Sequence, residues 1–270
     1  MPWRFEGCRE RIKRAQAHYD ALAEVWNTTP IKDLYTSTVQ VEDDGTGGIW
    51  MSPHEDSTIF NTAALQFGEF LYQLRSALDG CVYQAAVIDS GSDPPPDEEH
   101  LEFPICLTSS HFKKKAAFAL APLADKRRAL IESVQPYNTR NVPADELVFD
   151  INRTLGILSD WARKDRHRKL HLVGALPAKA SPKLRYPEGV SLVYMKVFGS
   201  AMLEHKSQIA SFALSGYRRG MKIEANPDVM LDIAIDEIPP PSSENDTFGQ
   251  RITEMINAVY SVVAAIEDSF

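Results

Sequence analysis

The sequence predicts an α+β protein: a helical bundle packed beside an antiparallel β-sheet, with the C-terminal helix returning to the bundle. Three observations predict it. Residues from about 1 to 169 hold long stretches with apolar side chains at helical spacing. From about 170 to 238 the period shortens to that of strands, in β-branched runs divided by Pro, Gly and Asn. The final stretch, about 248–267, carries a broad apolar stripe (Ile252, Met255, Ile256, Val259, Val262, Val263, Ile266) that needs a partner, most economically the earlier helices. With 270 residues, 44% of them hydrophobic, the chain can bury a real core, and a single α+β domain over 1–270 is the expectation.

Taken in order, Gly7 to Trp26 reads as a charged amphipathic helix stopped by "NTTP". "YTSTVQVEDDGTGGIWMSP", near 35–53, alternates on both sides of a turn-rich cluster and predicts a β-hairpin within the helical part. A long helix follows from about Ser57 to Ile88, with Asp56 or Ser57 as N-cap. Proline and acidity keep "DSGSDPPPDEEH" irregular, and "LEFPI" reads as a short extended piece. Helices are expected at about Ser110–Leu120, Leu123–Val134 and Ala144–Lys169, the last two separated by "QPYNTRNVP". "LHLVGALPA", "VSLVYMKVF", "QIASFAL" and "VMLDIAIDEI" are the expected strands, and "PPPSSENDT" is a linker before the last helix.

A net charge of −8 argues against general attraction to nucleic acid or anionic membrane, so any phosphate binding must be local. The start of the chain turns charged and helical at once, without an apolar stretch of signal-peptide length, and no apolar run approaches a membrane span. A cytoplasmic location is expected. Cys8, Cys81 and Cys106 stand at unrelated spacings that suit neither a disulfide framework nor a zinc site, and Cys81 and Cys106 read as small core residues. There is no P-loop, no dinucleotide fingerprint and no G-x-S-x-G, and "HFKKKAAF" reads as a solvated helix start.

Two helices carry the polar signal. On the long helix Arg75 falls about 70° from the centre of the stripe Phe67–Leu71–Leu74–Leu78–Val82–Ala85, with Asp79 one turn on at the stripe's edge. The pair is either an ordinary i,i+4 surface couple or the sign of an inward arginine that needs a buried anion. On the later helix, with stripe Leu147, Val148, Ile151, Leu155, Leu158 and Ala162, Asp165 lies about 50° from the centre, while His167 points away. Asp165 is also in the last turn, where the helix dipole disfavours a carboxylate. Arg75 is its expected partner. The other cations of "WARKDRHRKLH" (Arg163, Lys164, Arg166, Arg168, Lys169) suit a helix C-terminus as they stand. Gln135 and Tyr137 belong either to a rigid turn at Pro136 or to a ligand pocket floored by Arg75 and Asp165.

"LRSALDGCVYQAA", then "FPI", "QPY" and "DRHRKL", resembles a broad set of uncharacterised bacterial proteins with the signature LRSALDxxVxxxA … FPI … QPY … DKHR. The resemblance covers about residues 65–172, with Arg166 where lysine is usual, and it implies no activity. "RHRKLH", Arg166 to His171, also resembles the Arg-polar-x(3–5)-His motif of the HEPN superfamily of helical ribonucleases and nucleotide-binding domains. That resemblance implies metal-independent RNA cleavage at a dimer of bundles, with Arg166 or Arg168 stabilising phosphoryl charge and His167 or His171 moving a proton. The strand character of "LHLVGALP" departs from that pattern, because the HEPN helix continues past its motif. His167 and His171 also have the spacing of a zinc pair on a continuous helix, which the same strand signal argues against. No metal or cofactor is expected.

Three functions follow: a structural or binding protein, with a homodimer to be considered, whose polar node is architectural; a HEPN-like ribonuclease acting on RNA; and a pocket for a small anionic ligand. The residues at stake are Arg75, Asp79, Gln135, Tyr137, Asp165, Arg166, His167, Arg168 and His171.

Overall fold

The computed structural model describes residues 5–54, 58–141, 147–167, 172–175, 181–198, 203, 206–226, 231–235 and 247–270. Among these the fold is α+β. Its helices are α1 (Glu6–Thr28), α2 (Ile31–Leu34), α3 (Thr58–Ser90), α4 (Ser109–Ala119), α5 (Asp125–Ser133), α6 (Leu147–His167) and α7 (Phe248–Glu267). The strands are β1 (Tyr35–Val41), β2 (Thr46–Pro53), β3 (Leu172–Ala175), β4 (Lys183–Arg185), β5 (Ser191–Val197), β6 (Ser207–Ser215), β7 (Glu224–Asn226) and β8 (Asp232–Ile235). The expected N-caps Asp56 and Ser57 lie outside the described residues. The chain gathers into two compact units, one of Met1–Leu22, Leu65–Lys169 and Arg251–Phe270, the other of Ala23–Ala64 and Leu170–Gln250.

The first unit is helical, and the last helix returns to it. The long stripe of α3 packs as its period predicts: Phe67, Leu71, Leu74, Leu78, Val82 and Ala85 are all buried. Phe67 stacks on Phe70 and meets the edge of Trp161 from α6 at 5.6 Å between ring centres. On α7 the buried set is Ile252, Met255, Val259, Val262, Val263 and Ile266, with Ala258 joining them and Ile256 only half-buried. Ion pairs Arg153–Glu254 (2.8 Å) and Arg9–Glu267 fasten α7 to α6 and α1. On α6 the expected stripe is buried at Ile151, Leu155, Leu158 and Ala162 and is widened by Asn152, Thr154 and Trp161, while Val148 is exposed.

The second unit holds the strands. Its main sheet is antiparallel in the order β1-β2-β6-β5. The hairpin expected inside the helical part is therefore the first half of this sheet, with β2 paired to β6 from Thr46↔Ala213 to Met51↔Ser207. β3 pairs with β8 and β4 with β7 as separate two-stranded ribbons, so the expected single run of sheet over 170–238 is divided. Ile49, Met51, Ala210, Phe212 and Leu214 face one side of the main sheet and form its core with Leu34, Tyr35 and Leu203. At the β1–β2 turn Gly45 has a positive φ of 84°, and a Cβ there would lie 2.4 Å from the Leu214 carbonyl oxygen, so only glycine fits.

Candidate functional site

Among the described residues no strand pairs with the segment Phe103–Cys106, "FPIC", so its backbone groups find partners elsewhere. Side chains from two of the motifs supply them. On α3, Arg75 and Asp79 stand one turn apart, which puts both on one face. Asp79 Oδ1 accepts the Phe103 N–H at 2.9 Å, and Arg75 Nη2 donates to the Phe103 carbonyl at 3.2 Å and to Asp79 Oδ1 at 3.4 Å. The two charges thus hold both polar groups of one residue, as a neighbouring strand would.

Gln135 does the same for the next turn of chain. It follows α5, is fully buried, and uses both ends of its amide: Oε1 accepts the Cys106 N–H at 2.9 Å, while Nε2 donates to Pro104 O at 2.8 Å and Ile131 O at 2.9 Å. The QPY turn is itself seated on α6. The amide of Asn152, oriented to satisfy both contacts, donates to Val134 O and Val148 O at 3.1 Å each. Gly156 leaves room for Pro136, whose Cβ would lie 3.4 Å from a Cβ at that position. Three of the four motifs therefore meet at one short segment.

The electrostatics follow from this packing. Burial pushes the Asp79 carboxyl above its usual range, outweighing the pull of Arg75 and of the Phe103 N–H, with nearby Glu102 adding to the rise. Arg75 is mostly buried, and its Nη1 has no hydrogen-bond partner among the described residues. Tyr137 donates to Glu132 Oε1 at 3.0 Å and meets the edge of Phe112 at 6.3 Å. Burial first, and Glu132 second, push its phenol up to about 12.

The expected Arg75–Asp165 pair is replaced by these contacts. Arg75 turns to Phe103 because the backbone amide and carbonyl of an unpaired segment lie on its own side of α3. Asp165 instead comes down on α3 at Gly68, where a Cβ would lie 2.7 Å from its Oδ2. Gln135 and Tyr137 likewise point at FPIC and at Glu132, and among the described residues neither bonds to Arg75 or Asp165.

The basic cluster resolves into parts. Asp160 binds Arg163 at 2.8 Å and Lys164 at 3.0 Å. Burial pushes the Asp160 carboxyl up, but those two cations hold it below its usual range. Arg166 is exposed, its Nε reaching the Ala162 carbonyl of its own helix at 3.4 Å, and His167 is exposed on the final turn of α6. Arg168 and His171 lie outside the described residues, and β3 opens at Leu172. Among the described residues no three His, Cys, Asp or Glu side chains gather as a metal ion would require, and no helix is long and apolar enough to cross a membrane.

One buried ion pair escaped sequence reasoning. Arg127 of α5 grips Asp89 of α3 with two hydrogen bonds, Nε to Oδ2 at 2.7 Å and Nη2 to Oδ1. Asp89 Oδ2 also accepts the Ala124 N–H at 2.8 Å. Arg127 Nη1 reaches Ser269 O at 3.1 Å, and its guanidinium lies 3.8 Å over the Phe270 ring. Burial lowers the arginine's pKa. A signal was present: Asp89 sits in the last turn of a helix and Arg127 in the first turn of another, each against the local dipole. The same reasoning had singled out Asp165. Compared with known proteins, the chain matches no family model, no curated protein and no solved structure.

Proposed function

We propose that the chain is a cytoplasmic structural or binding protein in which the polar node is architectural. The observation that carries this reading is the Gln135 side chain, fully buried and committed to the main chain of FPIC and α5. Arg75 and Asp79 make the same kind of contact one residue earlier. Side chains spent on the backbone have few atoms left for a substrate. In this reading Arg75→Met and Asp79→Leu each lower the melting temperature, and the double change recovers part of the loss, because removing both charges leaves neither buried alone. Singles that leave the melting temperature unchanged would count against the architectural role.

A second reading is a pocket for a small anionic ligand, favoured by the Arg75 Nη1, which has no partner among the described residues. A melting-temperature screen with nucleotides and phosphorylated metabolites decides it: a rise that is lost in Arg75→Met supports the pocket, and no rise opposes it. The third, metal-independent RNA cleavage, draws on Arg166 and His167 standing exposed at the end of α6. Incubation with mixed RNA in EDTA beside His171→Ala tests it, and cleavage by the parent protein alone would overturn the architectural reading.

A further inference from the structure

Side chains alternate across the main sheet, so the residues between its core positions stand on the opposite face. Ile49 and Met51 face the core, which leaves Gly48 and Trp50 on the other side of β2. The register sets Thr38 of β1 and Gln208 of β6 on either side of Trp50, and Gln40 and Ser211 on either side of Gly48. Lys196 of β5 lies beside Ser211 in the same row. Thr38, Gln40, Lys196 and Gln208 are exposed, so this face is open to solvent.

Two aromatic rings lie on it, each with a lysine above. The Trp50 indole folds back over the bare Cα of Gly48, where a Cβ would lie 2.6 Å from its Cη2. Lys206 Nζ stands over that ring, 5.6 Å from its centre. Phe198 follows β5 and stays in register through its N–H, which donates to Ile209 O at 2.9 Å. Lys196 Nζ stands 5.7 Å from the Phe198 ring centre. Trp50 and Phe198 belong to strands two places apart, so their rings are separated by about 10 Å and can serve different ligand groups.

The charge on this face has one sign. β1, β2, β5 and β6 contain no Asp or Glu, in a chain that holds 37 of them. Glu42, Asp43 and Asp44 sit in the β1–β2 turn, at the far end of β2 from Trp50. Asp43 pairs there with Arg219 at 3.6 Å, and Asp44 accepts from Thr46. In a protein of net charge −8 such a face is a local attractor for anions. Aromatic rings offer stacking to unpaired bases of any sequence, and the ammonium groups offer pairing to phosphates. Thr38, Gln40 and Gln208 can each donate and accept, which suits a ribose hydroxyl.

We propose that the open face of β1-β2-β6-β5 binds single-stranded RNA, with bases stacked on Trp50 and Phe198 and phosphates held by Lys196 and Lys206. A duplex keeps its bases stacked on each other and gives the rings nothing to hold. An acidic peptide answers the lysines but leaves the rings unused. The proposal stands apart from the FPIC node, which lies in the other unit.

The test is fluorescence anisotropy of a labelled oligouridylate titrated with the intact protein. Two phosphate contacts predict a slope of about −1.4 for log affinity against log salt, falling in size by about 0.7 in Lys206→Ala. Trp50→Ala should weaken binding about 5- to 150-fold, the worth of one stacked base, and Trp50→Phe should restore part of it. Circular dichroism reports whether the Trp50 variants fold, and Lys196→Ala and Lys206→Ala change only exposed side chains. Arg166→Ala on α6 and Lys114→Ala on α4 should bind as the parent does. The proposal is overturned by no binding, by duplex RNA or single-stranded DNA bound as tightly, or by polyglutamate competing as well as RNA. It is also overturned if affinity falls in Arg166→Ala or Lys114→Ala but not in the folded sheet variants.

Discussion

The Asp165 carboxylate rests on the bare Cα of Gly68: a Cβ at residue 68 would lie 2.7 Å from Oδ2 and 3.2 Å from Oδ1. In a helix interior Gly→Ala ordinarily stabilises by roughly 0.5–1 kcal/mol, since alanine loses less backbone entropy. Here the added methyl displaces the carboxylate. Gly68→Ala should therefore gain less with Asp165 present than the about 0.5–1 kcal/mol expected in an Asp165→Ala background. Urea denaturation of the four proteins gives the coupling, and equal effects in both backgrounds would refute the contact.

Gln135→Leu keeps the approximate size of the side chain but strands the Cys106 N–H and the Pro104 and Ile131 carbonyls in the interior. Each orphaned group costs about 1–3 kcal/mol, so a total loss of roughly 3–9 kcal/mol is expected. Amide exchange at Cys106 should accelerate together with the fall in urea midpoint.

The Asp89–Arg127 pair is buried at both ends, with 8% and 6% of the side chains exposed. Asp89→Ala leaves a guanidinium without its anion and should cost about 3–5 kcal/mol. The double change Asp89→Leu with Arg127→Met removes both charges and is expected to recover much of that loss. A double variant as unstable as Asp89→Ala would mean that hydrogen bonds to Ala124 and Ser269 outweigh the charge pairing.

Tyr137 supplies a pH dependence with a definite sign. Its phenol is raised from 10.0 to about 12 in the folded protein, so the unfolded chain releases that proton first. The contribution is constant at neutral pH and lost as pH rises from about 10 towards 12. Absorbance titration at alkaline pH should show a late-titrating tyrosine in the parent that is missing in Tyr137→Phe. The phenylalanine variant should also lose stability less steeply over that window.

Much of the fold was legible because it rests on local spacing. The α3 and α7 stripes, the β1–β2 hairpin with its glycine turn and the helix breaks are properties of consecutive residues, and the apolar period exposes them. Arg75, Asp79 and Gln135 were also legible as residues that matter, since charges near a stripe and a polar residue before a proline break the pattern. Their partners were not. A side chain that bonds to a backbone group leaves no mark on that group's residue, so nothing in "FPIC" announces that Arg75, Asp79 and Gln135 converge there.

The sequence by itself determined the α+β class, the order and approximate length of the helices and longer strands, and the faces they bury. Only the tertiary structure decided that the hairpin pairs with β6, that Asp165 meets Gly68, and that Asp89 meets Arg127. The physical reason is range. Periodicity and capping act over one or two turns of chain, whereas pairings between distant residues depend on which of many compatible surfaces packs best.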